Sequence, residues 1–144
     1  MVEESRSSSD GRKCMALTPA LLHIAKGGPS CALMIGVCCG EHLVLDTLLT
    51  LFPRIRYWRD KREREVDFVL PVSDRCVDIV EAKWNADAFE PKNLRAFRSL
   101  YPEGRNIVIS HQAQPAFTRD CGGLSVIYSG LPDLRALLKP GKSN

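Results

Sequence analysis

Two apolar runs with a period of two flank a short polar turn, and that pattern leaves the chain little freedom. Residues 65–72 (EVDFVLPV) and 76–84 (CVDIVEAKW) read as strands, and Ser73-Asp74-Arg75 reads as the turn between them. A turn centred on Asp74 sets Asp67 opposite Glu81. Side chains alternate along a strand, so Val69, Asp67, Glu81 and Lys83 share one face of the hairpin. Opposed residues have Cβ atoms roughly 5 Å apart. Two carboxylates held that close repel each other, and a bound divalent cation reverses the sign of that interaction. Hard cations such as magnesium take oxygen ligands, commonly one or two carboxylates plus water and substrate phosphate. Asp67 and Glu81 are therefore the candidate metal ligands, with magnesium or manganese as the cation. Lys83 places an ammonium on the same face, where it can hold an attacking water or steady the charge of a phosphorane.

The rest of the chain builds an α/β pattern around this hairpin. A helical pattern begins near Leu33 or Gly40, runs to Phe52, and is stopped by Pro53. Glu41 lies on its apolar side, in line with Leu45, Leu48 and Phe52. Ile55–Arg59 reads as a strand and Asp60–Arg64 as a charged turn. Pro91–Tyr101 reads as a helix with proline in its first turn. Residues 106–110 and 124–128 read as short buried strands, and 132–138 as a last helix. A short helix over residues 16–25 stops at Gly27-Gly28-Pro29. The expected organisation is a polar, disordered tail (1–15), one domain (16–138) and a C-terminal tail (139–144).

Composition narrows the function classes. The 144 residues carry a formal net charge of only +3, so total charge does not announce a nucleic-acid binder. Basic residues gather locally instead, between Arg54 and Arg64, with Asp60 and Glu63 diluting their field. Arg59, Lys61 and Arg62, with Lys92 and Arg95 on the following helix, are the candidate nucleic-acid contacts. Arg98 extends that helical stripe. The six cysteines form no CxxC pair and no zinc-site spacing. The Ser-rich acidic start is unlike a signal peptide, and the longest apolar stretch is too short to span a bilayer. The expected location is the cytoplasm, with no membrane partner. A phosphate-loop-like string at 136–143 follows a helix rather than a strand, so it is set aside.

Four blocks in order carry a resemblance. They are Gly40-Glu41-His42-Leu43-Val44, Tyr57-Trp58-Arg59-Asp60, Glu65-Val66-Asp67-Phe68-Val69 and Val80-Glu81-Ala82-Lys83. Together they resemble the PD-(D/E)XK (restriction-endonuclease-like) nuclease domain of unknown function, number 4143, found C-terminal to AAA-type ATPase modules. Val66 stands where the superfamily's motif has proline, and no ATPase module lies in these 144 residues. The resemblance implies a restriction-endonuclease-like core over residues 41–110, with a central mixed sheet that starts as an antiparallel meander and is flanked by helices. It implies catalytic roles for Glu41, Asp67, Glu81 and Lys83: Asp67 and Glu81 on the metal, Lys83 on the water, and Glu41 as an accessory acid. The expected activity is metal-dependent hydrolysis of DNA phosphodiester bonds. The alternative is a non-catalytic module that binds DNA or a partner within an AAA-type ATPase system. DNA is the expected partner, with an AAA-type ATPase module and a second copy of the chain as further candidates. Each residue also has an ordinary reading: Glu41 as a first-turn acid on the helix dipole, the hairpin charges as a polar face, Trp58 and Trp84 as packing residues.

Overall fold

The computed structural model describes residues 13–16 and 34–139, with side chains from residue 40 onward. In chain order the elements are β1 (Lys13–Ala16), α1 (Met34–Leu49), β2 (Arg56–Arg59), β3 (Glu65–Pro71), β4 (Val77–Ala82), a 3-10 turn (Ala86–Ala88), α2 (Pro91–Arg98), β5 (Asn106–Ile109), β6 (Phe117–Asp120), β7 (Ser125–Ser129) and α3 (Leu131–Leu138). The described strands form one sheet in the order β1-β2-β3-β4-β5-β7-β6. From β1 to β4 each strand runs antiparallel to the next. β4, β5 and β7 are parallel, and β6 returns antiparallel to β7. The chain is thus an α/β protein with a mixed sheet flanked by helices, and β2–β3–β4 is an antiparallel meander.

Alternation along the strands sorts the core into two layers. Phe68, Leu70, Val80, Ala82, Ile107 and Ile109 pack with Val44, Leu45 and Leu48 of α1 and Leu134 and Leu138 of α3. Val69, Ile79, Val108 and Tyr128 pack on the other face against Leu94 and Phe97 of α2. Burying each such side chain stabilises the fold by about 1.5–3 kcal/mol. The two inner strands β3 and β4 are buried on both faces, and their near-continuous apolar runs reflect that.

The hairpin has the expected register, with Phe68 opposite Val80 and Leu70 opposite Asp78. Other parts differ. Lys13–Met15, assigned by the sequence to the tail, belong to β1. The helix expected over 16–25 lies outside the described residues, apart from Ala16 at the end of β1. β6 was not expected, since all four of its side chains are exposed and it carries no apolar alternation.

Arg98 is not part of a surface stripe. It is only 6% exposed. Its Nε donates to Asn106 Oδ1 at 2.6 Å, and Nη1 donates to the carbonyls of Val77, Tyr101 and Glu103 at 2.9, 3.1 and 2.9 Å. Nη2 donates to the Arg105 carbonyl at 2.8 Å. The guanidinium therefore gathers the α2–β5 connection against the start of β4. Gly104 makes this close approach possible: its φ is +127°, and a Cβ there would collide with the Val77 oxygen. Arg98→Lys should destabilise the domain by roughly 2–4 kcal/mol, because a single ammonium cannot satisfy so many buried carbonyls. Denaturant unfolding measures this, and a loss below about 1 kcal/mol would refute the structural role.

Candidate functional site

β3 and β4 deliver the candidate residues to the end of the sheet where β3 begins and β4 finishes. The pairing of β2 with β3 slips by one residue on the way: Trp58 pairs with Val66, but Arg56 pairs with Val69. β3 therefore holds an extra residue beside Tyr57, a bulge that falls at Asp67 and Phe68. The bulge explains how Val66 and Val69 both face α2 although their numbers differ in parity. It also frees the Asp67 side chain to act in the ladder. The Ala82 amide, on the β3-facing side of β4, donates to Asp67 Oδ2 at 3.2 Å.

Three charges meet here. Lys83 Nζ lies 2.9 Å from Glu81 Oε2 and 3.5 Å from Asp67 Oδ2. Asp67 is 8% exposed and Glu81 5%, whereas Lys83 is half-buried. Burial pushes the Glu81 carboxyl up to about 8, with the Asp67 charge adding to the rise and Lys83 opposing it. Burial alone would lower the Lys83 ammonium, but Asp67, Glu81 and, more weakly, Glu41 outweigh it and hold it above its usual range. Lys83 is accordingly a fixed cation at neutral pH. Glu41 lies within reach of that field and lines one pocket together with Lys83. It sits in the middle of α1, which has no acidic residue in its first turn, so a capping role does not account for it.

Asp67 and Glu81 suit a small hard cation in the two-carboxylate manner, with water or substrate oxygens completing its shell. Among the described residues no set of three His, Cys, Asp or Glu side chains gathers as a denser metal cluster. A third buried carboxylate, Asp78, lies at the far end of β4. It accepts from Arg105 N, Nε and Nη2 at 2.7, 2.9 and 2.6 Å. That pair is closed on itself, and it explains why Asp78 is no part of the site.

The expected nucleic-acid contacts divide. Lys61 and Arg62 are exposed on the β2–β3 turn, at the site's end of the sheet, and Lys92 is exposed at the start of α2 on the same end. Arg59 is there too, but its guanidinium is 3.3 Å from Glu63. Asp60 organises the turn by accepting from the Arg62 and Arg64 amides and pairing with the Arg64 side chain. Arg95 leans away, its Nη2 donating to the Cys121 carbonyl in the β6–β7 turn at the opposite end.

The sequence missed a pair at the site's edge. Trp84 is 58% exposed, not a packing residue, and stacks on His111 with ring centroids 4.3 Å apart. Trp58, in contrast, is fully buried against Phe97. His111 followed a strand end in the sequence, and nothing in its neighbourhood there pointed to Trp84.

Residues 39–128, more than half of the chain, match the family described as Domain of unknown function (DUF4143), and the chain belongs to that family. No curated protein and no solved structure matches it. No helix among the described residues is long and apolar enough to cross a membrane.

The Glu81 shift has a consequence for stability. Its folded value, about 8, lies above its ordinary 4.5, so the folded chain binds this proton more tightly than the unfolded chain does. The stability it contributes is full below about 4.5 and is lost as pH rises through about 8. In chelator, the melting temperature should fall by several degrees between about pH 5 and 8.5, and Glu81→Gln should flatten that fall. Equal slopes for the two proteins would show that Glu81 is not the titrating group.

Proposed function

We propose that this chain is a metal-dependent nuclease domain of the PD-(D/E)XK, restriction-endonuclease-like type, and that it hydrolyses DNA phosphodiester bonds. The observation that carries the reading is the convergence of Asp67, Glu81 and Lys83, with Lys83 Nζ 2.9 and 3.5 Å from the two carboxylates. The meander β2–β3–β4, continued by parallel strands and covered by helices on both faces, supports it as the scaffold.

In hydrolysis a water oxygen bonds to phosphorus while the bond to the leaving sugar oxygen breaks. The water loses a proton and the leaving oxygen gains one. Asp67 and Glu81 would hold magnesium or manganese, which would supply Lewis-acid polarisation of the phosphate. Lys83 stays protonated beside the two acids, so its role is that of a cation: it orients the water or steadies charge on the phosphorane, and does not act as a base. Glu41, on the neighbouring helix, is the accessory acid. Lys61, Arg62 and Lys92 stand at the same end of the sheet, where a phosphate backbone would pass.

Magnesium should raise the melting temperature of the wild type as its concentration passes the dissociation constant. Asp67→Asn keeps an acceptor for the Ala82 amide while removing a ligand charge. It should lose the magnesium response and cut plasmid DNA roughly a hundredfold more slowly, or not at all. Lys83→Ala removes no ligand, so its magnesium response should survive while cleavage falls. A wild type with neither a magnesium-dependent shift nor nicking in magnesium or manganese sinks the proposal.

A second reading has one observation in its favour. Lys83 reaches both carboxylates and Glu81 holds its proton above the usual carboxylate range, so the cluster is balanced as a purely structural centre. On that reading the chain is a non-catalytic module that binds DNA or a partner AAA-type ATPase.

A further inference from the structure

The geometry points to a binding subsite for an unpaired nucleobase, formed by the Trp84 ring and the pocket beside it. This deepens the nuclease reading and rests on it for the ligand being nucleic acid. The observation is a large aromatic ring in the open, backed on one side by a second ring. Trp84 is 58% exposed, although it follows Lys83 directly in the chain. Its carbonyl accepts from Ser110 Oγ at 2.9 Å and from His111 Nδ1 at 2.6 Å. A carbonyl can only accept, so His111 carries its proton on Nδ1. These two bonds fix the loop, and the His111 ring backs the indole at 4.3 Å with the planes 30° apart. An exposed indole gains nothing for the fold on its outer side, yet here it is pre-ordered, which lowers the entropy cost of stacking a flat ligand on it.

The ring borders an open pocket of about 150 Å³. Ala82 and Ile109 of the sheet and Val44 and Leu131 of the flanking helices make its mostly apolar lining, which Glu41 and Lys83 share. Such a lining offers contact area and almost no hydrogen-bond code, which suits any base. The surrounding charge favours a polyanion, because Lys61, Arg62 and Lys92 are exposed at this end of the sheet. A base stacked in a paired duplex cannot enter, so the substrate is single-stranded, frayed or flipped at the nucleotide next to the scissile phosphate.

The test uses the full chain in chelator, so that binding is read without cleavage. Fluorescence anisotropy compares a labelled single-stranded oligodeoxynucleotide of about ten nucleotides with the duplex of the same sequence. Wild type should prefer the single strand. Trp84→Ala should weaken single-strand binding about ten- to hundredfold and duplex binding far less, and Trp84→Phe should restore most of the loss. Quenching of the indole emission should accompany binding, with the buried Trp58 as constant background. Equal single-strand affinity for wild type and Trp84→Ala overturns the subsite, as does a wild type that prefers the duplex. The two readings fail separately. A wild type that nicks plasmid while Trp84→Ala binds like wild type keeps the nuclease and loses the subsite. One that binds single strands through Trp84 but cuts nothing in either metal keeps the subsite and loses the nuclease.

Discussion

Asp67 and Glu81 sit where water barely reaches, with the half-buried Lys83 between them, and the middle of the sheet has to be built around that fact. Taking a charge out of water costs several kcal/mol unless a partner compensates it. Here one ammonium serves two acids, and the acids sit on adjacent inner strands whose other residues are almost all apolar. The compensation is incomplete by one charge. Glu81 meets the deficit by holding its proton far above the usual carboxylate range. A folded protein that keeps such an arrangement keeps a centre which a divalent cation would relieve.

The bulge in β3 is the backbone half of the same arrangement. A regular ladder would give the Ala82 amide a main-chain acceptor and send Asp67 along the ordinary alternation. The extra residue brings the Asp67 carboxylate to that amide instead. One oxygen of Asp67 thus serves the strand and the charge cluster together, so the position of the acid is tied to the sheet and not to a loop. Rigid elements place such groups more accurately than loops do.

Much of this was legible, and the reason is particular. The turn at Asp74 and the strands on either side set the hairpin register from Pro71–Val77 to Phe68–Val80 without help from the rest of the chain, and the strands carry Asp67, Glu81 and Lys83 to the same end just beyond it. The apolar runs gave α1, α2 and the buried strands because their periods come from burial. What stayed hidden depended on partners distant in sequence or on backbone irregularity. A bulge at Asp67 has no signature in EVDFV. Arg98 looked like a surface cation because its five acceptors lie on the segments 77, 101–106, which come together only after folding. Trp84 and His111 are far apart in the chain and meet because β4 and β5 are parallel neighbours. β6 carries exposed residues without apolar alternation, and its pairing with β7 follows from the turn at Gly122 and Gly123, both with positive φ.

The two ends of β4 carry the same ingredients in opposite arrangements. At the start, Asp78 receives the Arg105 amide on Oδ1 and two guanidinium nitrogens of Arg105 on Oδ2, so one arginine engages both oxygens of one carboxylate. At the finish, a single ammonium on a flexible stem touches two carboxylates, each through one oxygen. A guanidinium fork is directional and hard to displace; an ammonium is a point charge whose place another cation can take. The first end therefore behaves as a clasp, and Arg98 beside it closes the α2–β5 connection in the same spirit. The second end has a cation shared between two acids and an open pocket with an exposed indole at its edge. The proposed hydrolysis would use the end where the charges are shared rather than locked.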